Sequence, residues 1–278
     1  MVGGVSADQS LATIHEAGWP LPLSAWVGLS VKERSFLESE LSGVRRFDYY
    51  RRRLEVLGFA GHGRVLDLGC GAGQWSCALA SLNGKVVGVD PNGGRLAVAE
   101  QLARGLLIGN CAFAAAKAEA LPFAEGEFDA VFCYGVFMFT DMPRCLAEIR
   151  RVLRLGGRVY LNANSWGWYA HLLLDRGIGQ GDWQLARAAL AMTRRAFGRA
   201  TSQKLVRRSW LEAILTRAGL SVIALGHEGG LALQPGTGPL PPPGYPPRFY
   251  GMTAILEVVA EKAGTVASRS GDQRNERS

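Results

Sequence analysis

Three glycines spaced two apart, Gly69, Gly71 and Gly73, follow the apolar run Val65-Leu66-Asp67-Leu68. Glycine allows a tight turn at positive φ and lets a ligand approach the backbone without meeting a Cβ. A helix that starts at such a turn offers unpaired N–H groups and the positive end of its dipole. Asp90 stands seventeen residues after Gly73 and ends a second apolar run, KVVGVD (85–90). An acid there can accept hydrogen bonds from both hydroxyls of a ribose, and the ends of such runs are where open parallel sheets bind ligands. Asp67 suits a cationic amino group better than phosphates. The dinucleotide fingerprint G-x-G-x-x-G is not met, because Gln74 occupies its last glycine position and Gln74-Trp75 would crowd a pyrophosphate. A turn that serves only the chain's own folding is the alternative without a ligand.

Such a loop must be held by a sheet, and the patterning from residue 64 onward supplies one. Short apolar runs read as strands at RVLDLG (64–69), KVVGVD (85–90), CAFAAA (111–116), FDAVFCY (128–134), RVYLNA (158–163), LSVIALG (220–226) and GMTAILEVVA (251–260). Helical segments separate most of them, around 74–82, 94–104, 143–153 and 209–218. Gly156-Gly157 is expected to stop the third of these helices. Alternation of this kind predicts an α/β fold, a doubly wound and mostly parallel seven-stranded sheet covered on both faces. The final strand follows its predecessor through a loop alone, so it can pair antiparallel.

Around that sheet the chain has three further parts. Residues 1–58 form an N-terminal helical extension, in which Val44, Phe47, Tyr50, Leu54 and Leu57 share a stripe. Arg45, Arg46, Arg52 and Arg53 are expected on its other faces. The domain proper spans 59–263 and carries an inserted helical cap at about 165–208, with a helix at 183–197. Residues 264–278 read as a disordered polar tail.

The 278 residues carry 31 Lys+Arg against 24 Asp+Glu, a net charge of +7 that suits acidic small molecules, nucleic acid or a membrane surface without choosing among them. Five cysteines without a CxxC pair argue against a disulfide framework and a zinc ribbon, so no metal site is expected and a reducing cytoplasm is the simplest setting. No run is long enough for a membrane span, and MVGGVSADQS lacks the features of a secretory signal.

The stretch from Val65 to Leu161 resembles class I S-adenosylmethionine (SAM)-dependent methyltransferases of the small-molecule, type 11 kind. The resemblance rests on VLDLGCGAG (65–73), VVGVDP (86–91), AEALPF (118–123), FDAVFC (128–133) and AEIRRVLRLGGRVYL (147–161), in order and at family spacing. It implies a Rossmann-like sheet with an antiparallel last strand and SAM as cofactor. Carried over, Asp67, Gly69, Cys70 and Gly71 hold the amino-acid end of SAM, and Asp90 with Pro91 borders the ribose. Ala118 and Glu119 border the adenine, and Tyr134 lies beside the methionine part. Two positions depart from the family. Lys117 stands where an acid commonly accepts from the adenine amino group, and lysine has no acceptor. Phe139 stands where many relatives place a histidine.

Without that histidine, His171 and Tyr169 at the start of the cap are the candidate bases, each weighed against a structural role. Trp166, Trp168, Tyr169, Trp183, Tyr245, Phe249 and Tyr250 suit an aromatic or lipophilic acceptor, or simply pack the cap. Arg187, Arg194, Arg195, Arg199, Arg207 and Arg208 read as a solvated face. The expected activity is methyl transfer from SAM to an oxygen, nitrogen or carbon of a small acceptor, with no nucleic acid favoured and homo-oligomerisation open. A non-catalytic SAM-binding regulator, an RNA methyltransferase and a nicotinamide oxidoreductase are the alternatives.

Overall fold

The computed structural model describes residues 46–194, 204–234, 241–243 and 245–264, together with isolated positions between Ile14 and Glu38. The expectations for most of residues 1–45, for Arg195 and Arg199, for the tail beyond 264 and for part of the proline-rich loop lie outside the described residues. So does the side chain of Arg194.

Seven strands form one sheet: β1 (Arg64–Leu68), β2 (Lys85–Asp90), β3 (Cys111–Ala115), β4 (Phe128–Cys133), β5 (Leu153–Asn164), β6 (Leu220–His227) and β9 (Ile255–Lys262). Their spatial order is β3-β2-β1-β4-β5-β9-β6. The first five pair in parallel, while β9 runs antiparallel to both β5 and β6. The last strand therefore lies inside the sheet, and β6 forms the edge. A two-residue ribbon, β7 (Arg248–Phe249) with β8 (Met252–Thr253), precedes β9.

Helices α1 (Phe47–Leu57), α2 (Gln74–Ala80) and α3 (Gly93–Gly105) supply one apolar layer, and α4 (Met142–Val152) and α7 (Arg208–Arg217) supply the other. Alternate strand residues serve the two layers. Val65, Phe132, Tyr160 and Val259 pack with Leu54, Leu79 and Leu102, whereas Leu66, Val131, Leu161 and Val258 pack with Leu146, Ile149 and Leu211. Burial on both faces is why these strands read as apolar runs and not as alternating ones. The cap comprises α5 (Trp166–His171), a π-helical stretch (Leu172–Ile178) and α6 (Trp183–Arg194). All five cysteines are free, and no described helix is long and apolar enough to cross a membrane.

Two expectations need correction. Gly156-Gly157 does not stop α4, which passes directly into β5 at Leu153. The glycines instead lie within a shift of register, where Phe128 pairs with Leu153 but Ala130 pairs with Arg158. A Cβ on Gly157 would lie 2.8 Å from the carbonyl oxygen of Arg154, so the fold-back leaves no room for a side chain.

The second correction concerns Arg53, which faces inward and is buried. Its Nη2 meets Glu257 Oε2 at 2.5 Å, and its Nη1 donates to the Leu231 carbonyl at 2.9 Å. Glu257 also accepts from Tyr160 Oη at 3.1 Å and from the Leu231 N–H at 2.8 Å. Burial works against the charge on Arg53, but Glu257 and the other nearby groups overcome it and hold the guanidinium above its ordinary value. Removing one partner strands the other charge, so Glu257→Gln should cost about 3–5 kcal/mol in urea denaturation. A loss below about 1 kcal/mol would show that the pair does not hold α1 to the sheet.

Candidate active site

Beyond Leu68 the chain turns over the end of β2. The N–H groups of Gly69 and Cys70 both donate to the Val89 carbonyl, at 2.8 and 2.9 Å, and Gly73 N–H donates to the Cys70 carbonyl at 2.9 Å. Gly69, Gly71 and Gly73 have φ of 78°, 55° and 83°, the region that favours glycine. A Cβ on Gly69 would lie 2.3 Å from Val136 Cγ2, whereas one on Gly71 would meet nothing within 4 Å. Gly69 is thus required by packing, and Gly71 faces open space.

One carboxylate supports this loop and a second the helix that follows it. Asp90 Oδ2 accepts from Gly71 N–H at 3.2 Å, and its Oδ1 accepts from Asn92 N–H at 2.9 Å. Arg95 Nη1 lies 4.0 Å from Asp90 Oδ2. Asp67 is buried beneath the loop, where its Oδ2 accepts from Ser76 Oγ at 2.6 Å. Burial pushes the Asp67 carboxyl up to about 7, the Ser76 hydrogen bond opposes this, and the charge of Asp90 adds to it.

Two cavities flank the loop. The first, of about 220 Å³, is walled by Gly69, Cys70, Gly71, Gln74, Trp75, Arg95, Tyr134, Gly135, Asn162 and Asn164. Val136, Met138, Phe139 and Ile255 add apolar surface, and Trp168 and Tyr245 close it from the cap side. The second, of about 250 Å³, is a slot lined by Leu68, Val89, Pro91, Ala116, Lys117, Ala118, Glu119 and Thr140. Gly69, Val136 and Phe139 border both. In the first, Tyr134 Oη donates to Glu228 Oε1 at 2.5 Å, and Asn162 Oδ1 accepts from Gly135 N–H at 2.6 Å. Gln74 Oε1 and Trp75 Nε1 are buried without a hydrogen-bond partner among the described residues.

The sequence-predicted residues thus fall into three groups. Gly69, Cys70, Gly71 and Tyr134 line the first cavity, and Pro91, Ala118 and Glu119 line the second. Glu119 Oε1 is engaged by the Asp141 N–H at 2.8 Å, at the start of α4. Asp67 and Asp90 belong to neither set of wall residues; Asp90 accepts from the Gly71 N–H of the loop, and Asp67 from Ser76 in α2. His171 and Tyr169 form the third group, away from both walls. Trp168 takes the cavity side of α5, and the helical turn carries the other two elsewhere. His171 Nδ1 contacts Asp175 Oδ2 at 2.7 Å, Tyr250 Oη donates to the same carboxylate, and the imidazole stacks on Phe249 at 4.2 Å. Tyr169 is buried, and burial pushes its phenol up. Gln74, Trp75, Arg95, Asn162 and Asn164 were not anticipated as wall residues. The signal for the two asparagines was their alternate spacing in an otherwise apolar strand end, which places both on one face. Among the described residues, no group of three or more His, Cys, Asp or Glu side chains could hold a metal ion.

Residues 66–161 match the family described as methyltransferase domain. YcgJ of Bacillus subtilis (strain 168), named an uncharacterized methyltransferase, is 35% identical over 99 residues, covering 35% of this chain and 39% of that protein. UbiE of Shewanella sp. (strain ANA-3), named a ubiquinone/menaquinone biosynthesis C-methyltransferase, is 34% identical over 122 residues, 42% of this chain and 48% of its own. The chain thus spans less than half the length of both curated relatives. The crystal structure of geranyl diphosphate C-methyltransferase from Streptomyces coelicolor A3(2) superposes with a TM-score of 0.56 at 18% identity, covering 78% of this chain and 79% of that one. The methyltransferase fold therefore extends well beyond the matched segment.

The buried acid Asp67 makes a pH prediction. A carboxyl raised from 3.8 to about 7 keeps its proton in the folded state after the unfolded chain has lost it. Stability of the ligand-free protein should therefore fall as pH rises from about 4 through 7 and level off above, by roughly 4 kcal/mol in total. Asp67→Asn, which keeps an acceptor for Ser76, should flatten that slope in urea denaturation. An equal slope in the variant would assign the dependence to other groups.

Proposed function

We propose that the chain binds S-adenosylmethionine across the two cavities and transfers its methyl group to an oxygen, nitrogen or carbon atom of a small aromatic or lipophilic acceptor. The observation that carries this reading is the division of one crevice by the glycine loop into two unlike halves. The half walled by Gly69, Cys70, Gly71 and Gln74 joins loop backbone to the polar side chains of Tyr134, Asn162 and Asn164, fitting the charged amino-acid end of the cofactor. The other half, between Leu68, Val89, Pro91 and Val136, is an apolar slot that fits a purine. Asp90 lies between them and retains lone pairs for ribose hydroxyls. Gly71 leaves open the space that a side chain would fill.

When bound, S-adenosylmethionine supplies an electrophilic methyl carbon on a sulfonium. The chain's own contribution is alignment and exclusion of water, worth up to ~7–11 kcal/mol when an acceptor is held in line. Tyr134, Phe139, Trp168 and Tyr245 shape an aromatic space for that acceptor. The name of UbiE, which refers to ubiquinone and menaquinone biosynthesis, supports an acceptor of the same lipophilic kind. No histidine is among the wall residues of either cavity, which favours an acceptor that needs no strong base. The same feature is what a non-catalytic SAM-binding regulator would show.

Calorimetry with S-adenosylhomocysteine and labelled methyl transfer over a panel of phenols, amines and isoprenoid quinol precursors separate these readings. Binding with a methylated product is expected; binding with no product from any acceptor would favour the regulator. Asp90→Ala should weaken S-adenosylhomocysteine binding by about 1–3 kcal/mol, through lost charged hydrogen bonds and a loosened Gly71. An unchanged dissociation constant would remove Asp90 from the site.

A further inference from the structure

We propose that the cap is a docking face for an anionic lipid surface, on which α6 and the π-helical stretch seat the chain as a peripheral protein. Charge is the first argument. Residues 165–208 contain eight Arg and Lys against two acids, so this insertion carries +6 of the chain's +7 and the remainder is almost neutral. Both acids are engaged within the cap and the ribbon beside it. Asp175 holds His171 and Tyr250, and Asp182 Oδ1 accepts from the Leu185 N–H at 2.9 Å at the start of α6. Arg176 and Arg187 are exposed and make no ion pair among the described residues. None of the residues invoked for docking lines either cavity, so the inference does not depend on the cofactor assignment.

Apolar side chains stand among these charges. Trp166, Leu174, Ile178, Trp183 and Leu190 are all exposed, Trp183 with 64% of its surface. On α6, Ala186 and Ala189 are buried, whereas Trp183, Arg187 and Leu190 follow at i, i+4 and i+7 on one outward side. Leu174 and Ile178 are likewise four apart, with Arg176 between them in sequence. The two elements pack so closely that a Cβ on Gly177 would lie 2.7 Å from that of Ala186. Each therefore brackets an unpaired arginine with two exposed apolar side chains. In a bilayer interface, tryptophan sits at the headgroups, aliphatic chains reach below them and arginines extend to the phosphates. A nucleic acid would meet the arginines but leave Leu174, Ile178 and Leu190 with nothing to be buried against. A second copy of the chain would bring two strongly basic caps face to face, and like charges oppose that contact.

Flotation of the full chain with phosphatidylcholine vesicles, with and without about one-third phosphatidylglycerol, tests the inference. The chain should bind the anionic vesicles about tenfold or more tightly than the neutral ones, and added salt should narrow the difference. Trp183→Ser combined with Leu190→Ser should weaken binding by about tenfold or more through lost apolar burial. Arg176→Gln combined with Arg187→Gln should cost about tenfold on the anionic vesicles and little on the neutral ones. Leu107→Asn removes an exposed apolar side chain outside the cap and should leave binding unchanged. Urea denaturation of each variant checks that the fold is intact. No binding of the unmodified chain to anionic vesicles overturns the inference, as does binding that both cap variants leave intact. Preference for polyuridylic acid over the vesicles, lost in the arginine variant, would overturn it in favour of a nucleic acid. A dimer dispersed by the Trp183 and Leu190 changes would overturn it in favour of a second copy.

Discussion

Three consecutive N–H groups, those of Gly69, Cys70 and Gly71, end on two adjacent residues of β2. The first two share the Val89 carbonyl and the third reaches the Asp90 carboxylate. A strand continuing straight past Leu68 could not make these contacts, because its N–H groups would project alternately to either side. Positive φ at Gly69 and Gly71 is what lets them converge. The convergence fixes where the loop crosses the crevice, and so which residues lie on each of its sides. It also couples the loop to α3, since the Asp90 carboxylate that holds Gly71 holds Asn92 as well, and the Asn92 side chain caps α3. Loop, second strand and third helix are therefore tied together through one carboxylate.

Two buried acids near the crevice are treated in opposite ways. Glu257 is saturated, with a guanidinium, a phenol and a backbone N–H on its two oxygens. Asp67 accepts from the Ser76 hydroxyl and sits close to a second acid. The first arrangement is what a low-dielectric interior requires of a structural charge. The second leaves a carboxyl whose burial favours its protonated form. The two are linked through the sheet: Glu257 stands opposite Asn162 in the β5–β9 register, and Asn162 holds Gly135 at the cavity wall. Tyr160, two residues before Asn162 and on the same face, binds Glu257. The pair that anchors α1 to the sheet thus also braces the floor of the first cavity.

The sheet was readable because strands buried on both faces leave continuous apolar runs, and because a glycine loop with an acid after the next run is a local pattern. KVVGVD (85–90) coincides with β2 from end to end. What was not readable depends on distant partners. Helical spacing can place Arg53 on a face, but the carboxylate that draws it inward lies at Glu257, far along the chain. Gly156-Gly157 looks like a helix stop in isolation; only the pairing of β5 with β4 shows that the glycines absorb a change of register. The setting of Asp67 was hidden for the same reason: its position before the loop was plain, but its partner Ser76 and its depth of burial come from the folded packing. His171 illustrates the limit most directly, since Asp175 is one helical turn away and occupies the imidazole, while Phe249 and Tyr250 come from beyond the proline-rich loop.

That last arrangement bears on how the crevice is closed. Trp168 and Tyr245 meet edge to face at 5.3 Å, one from the cap and the other from the segment leading to the β7–β8 ribbon. His171 on Phe249 and Tyr250 on Asp175 join the same two segments again, one helical turn farther along. Three contacts between the same pair of segments resist their separation more than any one would, and they place the two aromatic rings over the first cavity. On the proposed function, this explains why the residues that look most like a base in the sequence do not line the cavity. The imidazole of His171 is spent on Asp175 and Phe249, and Tyr169 is buried.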